Sequence, residues 1–158
     1  MSTGDLSVSQ SYQIEGALDS LFALEPALIA RIADQVAGFE TVSSSSLVAG
    51  SRSLSDLLPA CFVEPGPGTR NTTGEGYGIG SLKQSWSVMI VVTHYMSAVG
   101  DSSAAQLAGG LALQTIEALD GWTPSDYIEP LAFTGHADPV SGAGWAAFDL
   151  TFETELTL

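Results

Sequence analysis

Few side chains in this sequence could do covalent or acid–base chemistry, and they do not form a recognisable set. The histidines are His94 and His136, and the lone cysteine is Cys61. Nucleophilic catalysis needs a hydroxyl or thiol held beside an activating base. Neither histidine lies in such a motif: His94 reads as a residue near a strand end, and His136 as a loop residue. No Gly-x-Ser-x-Gly elbow occurs. Cys61 lies in the apolar run Pro59-Ala60-Cys61-Phe62-Val63 and reads as a small buried hydrophobe. A single cysteine and two distant histidines cannot build a zinc cage. No Asp/Asn-rich loop followed by glutamate offers a calcium site. The expectation is no metal and no cofactor.

The run Gly74-Glu75-Gly76-Tyr77-Gly78-Ile79-Gly80 invites a test as a phosphate cradle. It lacks a Gly-Lys-Ser/Thr ending and precedes an expected strand. A strand brings no helix N-terminus, so the anion-binding field is missing. Asn71-Thr72-Thr73 matches a glycosylation sequon, but the polar start Met1–Gln10 has no signal-peptide pattern, so the match is chance. The acidic residues are scattered singly, and nothing places two of them convergently in a pocket. The sequence argues against an enzyme.

Charge narrows the remaining classes. There are 18 acidic residues against 4 basic ones, for a net charge of −14. The cations are Arg31, Arg52, Arg70 and Lys83. Neutralising phosphates takes clusters of Lys and Arg, so the charge balance argues against tight nucleic-acid binding and against docking on an anionic membrane. No apolar run approaches the length of a membrane span, and a lone cysteine suits a reducing compartment. The chain has 158 residues, enough for one domain with its own core. Only 14% of residues are charged while 45% are hydrophobic, with mean hydropathy +0.25; soluble domains usually carry roughly 25% charged residues. The apolar excess has to be hidden, and a permanent subunit interface hides it well.

The elements follow from periodicity. Residues 1–10 read as a flexible tail, with a single domain over 11–158. Ile14, Ala17, Leu18, Leu21 and Phe22 lie on one helical stripe. A second helix opens at Pro26, with Ala27, Leu28, Ile29, Ile32, Ala33 and Val36 facing inward and Gly38 as its stop. Phe39–Val42 reads as a strand, Ser43–Ser46 as a polar break, Leu47–Leu58 as a short helix or two turns, and Pro59–Glu64 as a strand. Residues 65–80 hold six glycines and two prolines, which predicts an extended hairpin loop. In the strand Gln84–Tyr95, Trp86, Val88, Ile90 and Val92 point one way and Met89, Val91 and Tyr95 the other, so both faces are covered. Ser103 and Gln106 have capping-box spacing. The helix behind them turns Ala104, Ala108, Leu111, Ala112, Thr115 and Leu119 inward, and Asp120-Gly121 and Pro124 end it. Leu131–Thr134 is a strand and His136–Gly144 a turn-rich connection. Last comes a strand with Phe148, Leu150, Phe152, Leu156 and Leu158 on its dry face. Asp149, Thr151, Glu153, Glu155 and Thr157 lie on its wet face. The fold class is α+β, a mainly antiparallel sheet packed by helices on one side.

Taken in order, these segments resemble the tail terminator proteins of tailed bacteriophages, also called tail completion or head–tail joining proteins. The resemblance spans roughly residues 12–158. It rests on Ile29–Val42, on Leu58–Val63 with its glycine-rich sequel, on Gln84–Val92, and on Ala118–Pro124 with the Phe-Glu-Thr-rich final strand. It implies a virion tail protein that forms a hexameric ring on the completed tail tube, ends tube polymerisation, and meets the neck or head–tail connector proteins. The implied partners are other copies of the chain, the major tail tube protein, the connector, and DNA passing without specific binding. No membrane is involved.

Two expectations about sites accompany that reading. The glycine-rich loop is an arm between subunits, carried by Gly66, Gly68, Arg70, Gly74, Tyr77 and Gly78. The acidic face of Asp149, Glu153 and Glu155 lines the lumen of the ring or is ordinary solvated surface. Competing readings are another neck or tail-tube protein, and an acidic module that mimics DNA. A mimic would carry its acids in rows at phosphate-like spacing.

Overall fold

The computed structural model describes residues 20–44, 57–71, 80–93, 104–125, 128–142 and 145–157, with side chains left out at 71, 104, 105, 141 and 142. Two helices, α1 (Leu24–Gln35) and α2 (Ala104–Leu119), accompany six strands. These are β1 (Thr41–Ser44), β2 (Ala60–Asn71), β3 (Ser81–Thr93), β4 (Ala132–His136), β5 (Val140–Gly142) and β6 (Trp145–Thr157). The sheet runs β1-β2-β3-β6-β4, with β5 also paired to β6. Only β1–β2 is parallel; every other pair is antiparallel. The fold is α+β.

Alternation along the two longest strands builds the core. Trp86, Val88, Ile90 and Val92 of β3 face the same side as Leu150, Phe152 and Leu156 of β6, and all are buried. Leu24, Leu28, Ile32 and Val36 of the α1 segment and Ala108, Leu111, Ala112 and Leu119 of α2 complete this cluster. Each of the valine, leucine, isoleucine and phenylalanine side chains so taken out of water contributes about 1.5–3 kcal/mol. The helices run antiparallel: Arg31 Nε donates to the Ala118 carbonyl at 3.0 Å, and Gly38 lies against Leu111. A Cβ on Gly38 would come within 2.6 Å of Leu111 Cδ2, so close packing explains this glycine. The helix itself stops at Val36, whose backbone turns extended while its N–H still bonds the Ile32 carbonyl.

Helix α2 ends as its sequence predicts. Gly121 adopts φ +81°, which a side chain would resist. The Trp122 N–H returns to the Leu119 carbonyl at 3.0 Å. Thr115, fully buried, donates to the Leu111 carbonyl one turn back, so its hydroxyl is satisfied within the helix.

Several expected boundaries shift. Leu21 is 51% exposed, and Phe22, 44% exposed, reaches the core only through its edge-on contact with Trp86. Ala33 is exposed; Leu28 and Ile32 already fill the line facing the sheet. The first strand is Thr41–Ser44, later than Phe39–Val42, because parallel pairing with Ala60–Val63 sets its register and small serines fit the edge. His136 ends strand β4, with Val140–Gly142 forming β5, where a turn-rich connection was expected. The expected segments 1–19, 45–56, 94–103 and residue 158 lie outside the described residues, as do Tyr95 and Leu158.

The largest revision concerns the glycine-rich segment. Its first part, Pro65–Asn71, is strand, paired to Ser81–Trp86 across a bulge between Pro65 and Gly68. The proline and glycine content suggested loop, but an edge strand tolerates proline because no neighbour needs the missing N–H. Strand β1 reaches only Ala60–Val63, so among the described residues Pro65 and Pro67 lie where β2 is the edge. Residues 72–79 lie outside the described residues.

Candidate functional site

The two faces of the sheet differ in kind. Both described helices pack on the face carrying Trp86 and Phe152. The other face presents alternate residues: Ser81, Lys83, Ser85, Ser87, Met89 and Val91 from β3, opposite Thr157, Glu155, Glu153, Thr151, Asp149 and Ala147 from β6. One end of this face is apolar. Ala60, Phe62 and Val91 are buried there, with Leu58, Met89, Trp145 and Ala147 packed around them. The prediction of a central strand apolar on both sides holds at the Met89–Val91 end of β3.

Beyond that patch the face becomes hydroxylated and acidic. Asp149 accepts a hydrogen bond from Ser87 Oγ at 2.5 Å across the β3–β6 pair. Glu153 lies opposite Ser85, and Glu155 opposite Lys83. All three carboxylates are half-buried, held on the longest pair of strands among the described residues. The structure thus brings Asp149, Glu153 and Glu155 onto one face, two or four residues apart along β6. They form a charged wall with hydroxyl neighbours. They do not converge on a pocket.

The arm residues separate into two groups. Gly66, Gly68 and Arg70 lie in β2; Gly74, Tyr77 and Gly78 lie outside the described residues. Gln84, which sequence reasoning did not single out, organises the bulge. It is 2% exposed, and its Nε2 donates to the carbonyls of Gly66 and Ser85, each at 2.8 Å. Ser85 Oγ donates to the Pro67 carbonyl at 2.8 Å. These side chains take over where the backbone ladder breaks. The glycines make room for them: a Cβ on Gly68 would lie 2.8 Å from Gln84 Oε1, and one on Gly66 3.0 Å from Ser85 Oγ. A polar residue on the otherwise apolar row Leu82, Trp86, Val88 and Ile90 was the available signal.

Elsewhere the chemistry is sparse. Cys61 is buried, and desolvation pushes its thiol far above the ordinary range, so the nucleophilic thiolate is suppressed. His136 stacks near Phe148 with ring centroids 4.5 Å apart and contacts the neighbouring Ala137 carbonyl. Among the described residues, no three His, Cys, Asp or Glu side chains gather as a metal site. No described helix is long and apolar enough to cross a membrane.

Apolar surface is conspicuous on α2. Its 16 residues include one charged side chain, Glu117. Leu107 and Leu113 are 46% and 58% exposed, and Gly109 and Gly110 between them border open space. A helix apolar nearly all round is normally covered on both sides.

Comparison with known proteins agrees with this architecture. No curated protein matches the chain. A solved structure described as the virion of a native gene transfer agent particle superposes with a TM-score of 0.51 at 17% identity, covering 87% of this chain and 99% of that one. That likeness concerns the fold. The family described as phage tail terminator protein matches residues 18–158. The chain belongs to the phage tail terminator family and is a structural protein of the virion tail.

Proposed function

We propose that the protein forms a ring of six copies that caps the completed tail tube, ends its polymerisation and joins the tail to the neck or connector below the head. The observation that carries this reading is the division of the sheet's faces. One is sealed by helices, while the other offers a long acidic and hydroxylated wall. In a closed ring that wall, with Asp149, Glu153 and Glu155, faces the channel. Passing DNA meets like charge there and does not stick. Screening confines this effect to about 8 Å, so only side chains lining the channel act on the polyanion.

Support for assembly comes from surfaces that suit protein contacts. The exposed Leu107–Leu113 face of α2 and the apolar patch around Phe62 and Val91 are low in charge, as buried interface centres are. The β2–β3 hairpin, including the segment 72–79, serves as the arm that reaches a neighbouring copy. The partners are the chain itself, the major tail tube protein and the connector. The similar fold within a gene transfer agent virion is in keeping with a place in such a particle.

Particles made without this protein test the reading. Electron microscopy should find overlong, irregular tails and unjoined heads. Absent tubes would assign the chain to the tube, and tails of normal length joined to heads would refute the cap.

A further inference from the structure

An open strand edge offers its N–H and C=O groups to any strand that arrives, so copies of one chain can pair through it. Strand β2 has such an edge. Its neighbour β1 reaches no further than Val63, and beyond that point Glu64 and the residues from Pro67 to Arg70 are exposed. The open stretch runs to the end of the strand at Asn71.

Backbone direction shows how this edge is blunted. The Pro59 carbonyl accepts from the N–H groups of Glu40 and Thr41, at 2.7 and 3.3 Å, on the β1 side. Backbone groups alternate in direction along a strand, and the β2–β3 register is unbroken from Ala60 to Pro65. Cys61, Val63 and Pro65 therefore turn theirs the same way, toward β1 and then toward the open edge. Pro65 has no N–H to offer there, and its ring stands where an incoming carbonyl would come. The bulge follows at once, with Pro67 exposed inside it. It breaks the regular spacing that a second strand would need. The other borders of the sheet are closed by different means. On β4 the Phe133 N–H is taken by Asp120 Oδ1 at 2.9 Å, while Leu131 exchanges hydrogen bonds with Gly121 and Trp122. The end of α2 thus covers that edge, and a second bulge lies between Phe133 and Gly135. Strands β1 and β5, four and three residues long, are too short to template a partner.

We propose that Pro65 and Pro67 guard the longest open edge of this sheet among the described residues, and that they keep free copies of the chain from pairing strand to strand. The excluded partner is a second copy offering the same edge. Two β2 edges related by a two-fold axis would otherwise align antiparallel, each the template of the other. With the edges closed, copies meet through side-chain surfaces in whatever assembly they form, so the proposal stands apart from the ring reading.

Sedimentation velocity of the free chain, without tubes and over a concentration series, tests the guard. The double variant Pro65→Thr with Pro67→Thr should associate at a concentration about tenfold below that of the unaltered chain, the effect of one or two regained backbone hydrogen bonds. Amide exchange should slow on association within Glu64–Asn71, and not on α2 or β4. Pro67→Thr alone, at an exposed position, should show a smaller shift in the same direction with an unchanged circular dichroism spectrum. That single variant decides the matter should the double variant lose its fold. Sedimentation identical to that of the unaltered chain would overturn the proposal. So would association that protects amides elsewhere, or an unaltered chain whose own Glu64–Asn71 amides become protected as concentration rises.

Discussion

Gln84 holds the carbonyl of Gly66 at 2.8 Å from the neighbouring strand, across the one irregularity of the β2–β3 pair. This contact lets a sequence that reads Pro-Gly-Pro-Gly remain in a sheet. The bulge breaks the ladder, the buried amide repairs it, and the glycines give the amide space.

Gln84→Leu should therefore destabilise the protein by about 1–3 kcal/mol, the loss expected when buried carbonyls are left without a donor. Urea unfolding measures it, and hydrogen exchange should speed up at β2 amides beyond Pro65. Equal stability would mean that solvent satisfies the bulge. Gly68→Ala should also destabilise, since its Cβ meets Gln84 Oε1.

Trp86 is fully buried between the helices and the sheet, with Phe22 edge-on at 6.3 Å. Its indole Nε1 makes no hydrogen bond among the described residues. Trp86→Ala should cost about 3–5 kcal/mol. Trp86→Phe should cost markedly less, because it keeps most of the apolar contact and removes an unsatisfied donor. Thermal melting of the pair checks the order, and equal losses would contradict it.

Arg31 joins α1 to the end of α2. Its Nε bonds the Ala118 carbonyl, and its guanidinium carbon lies 5.1 Å from the centre of the Trp122 ring. The cation meets the negative end of the helix dipole there. Arg31→Ala should lose about 1–2 kcal/mol, with little recovered by lysine, which lacks the planar fork. Denaturant unfolding decides it.

Cys61 should behave as an inert core residue. Burial disfavours its thiolate, so the folded protein resists alkylation at neutral pH, and the resistance persists as pH rises. A thiol reagent should label it at the rate of global unfolding. Rapid labelling of the native protein would contradict this burial.

Much of the fold was legible in the residues. Alternation in Trp86–Val92 and Phe148–Leu156 marked the central strands because each has one dry face set by the pleat. The inward face of α2, from Ala108 to Leu119, followed from helical spacing, and Asp120-Gly121 from its end. What misled was composition read without neighbours. Pro65–Gly68 resembles a loop until β3 supplies Gln84 and Ser85. Residues Val140–Gly142 resemble a turn until β6 supplies a pairing edge. Asp149, Glu153 and Glu155 could be placed on one face from sequence alone.

The central claim is that this chain stops a growing tail tube, and imaging its encounter with purified tubes tests that most directly. Tubes mixed with the protein and then supplied with fresh tube subunits should carry a ring at one end and cease to lengthen there. Tubes that keep extending at both ends, with the protein left free in solution, would contradict the claim.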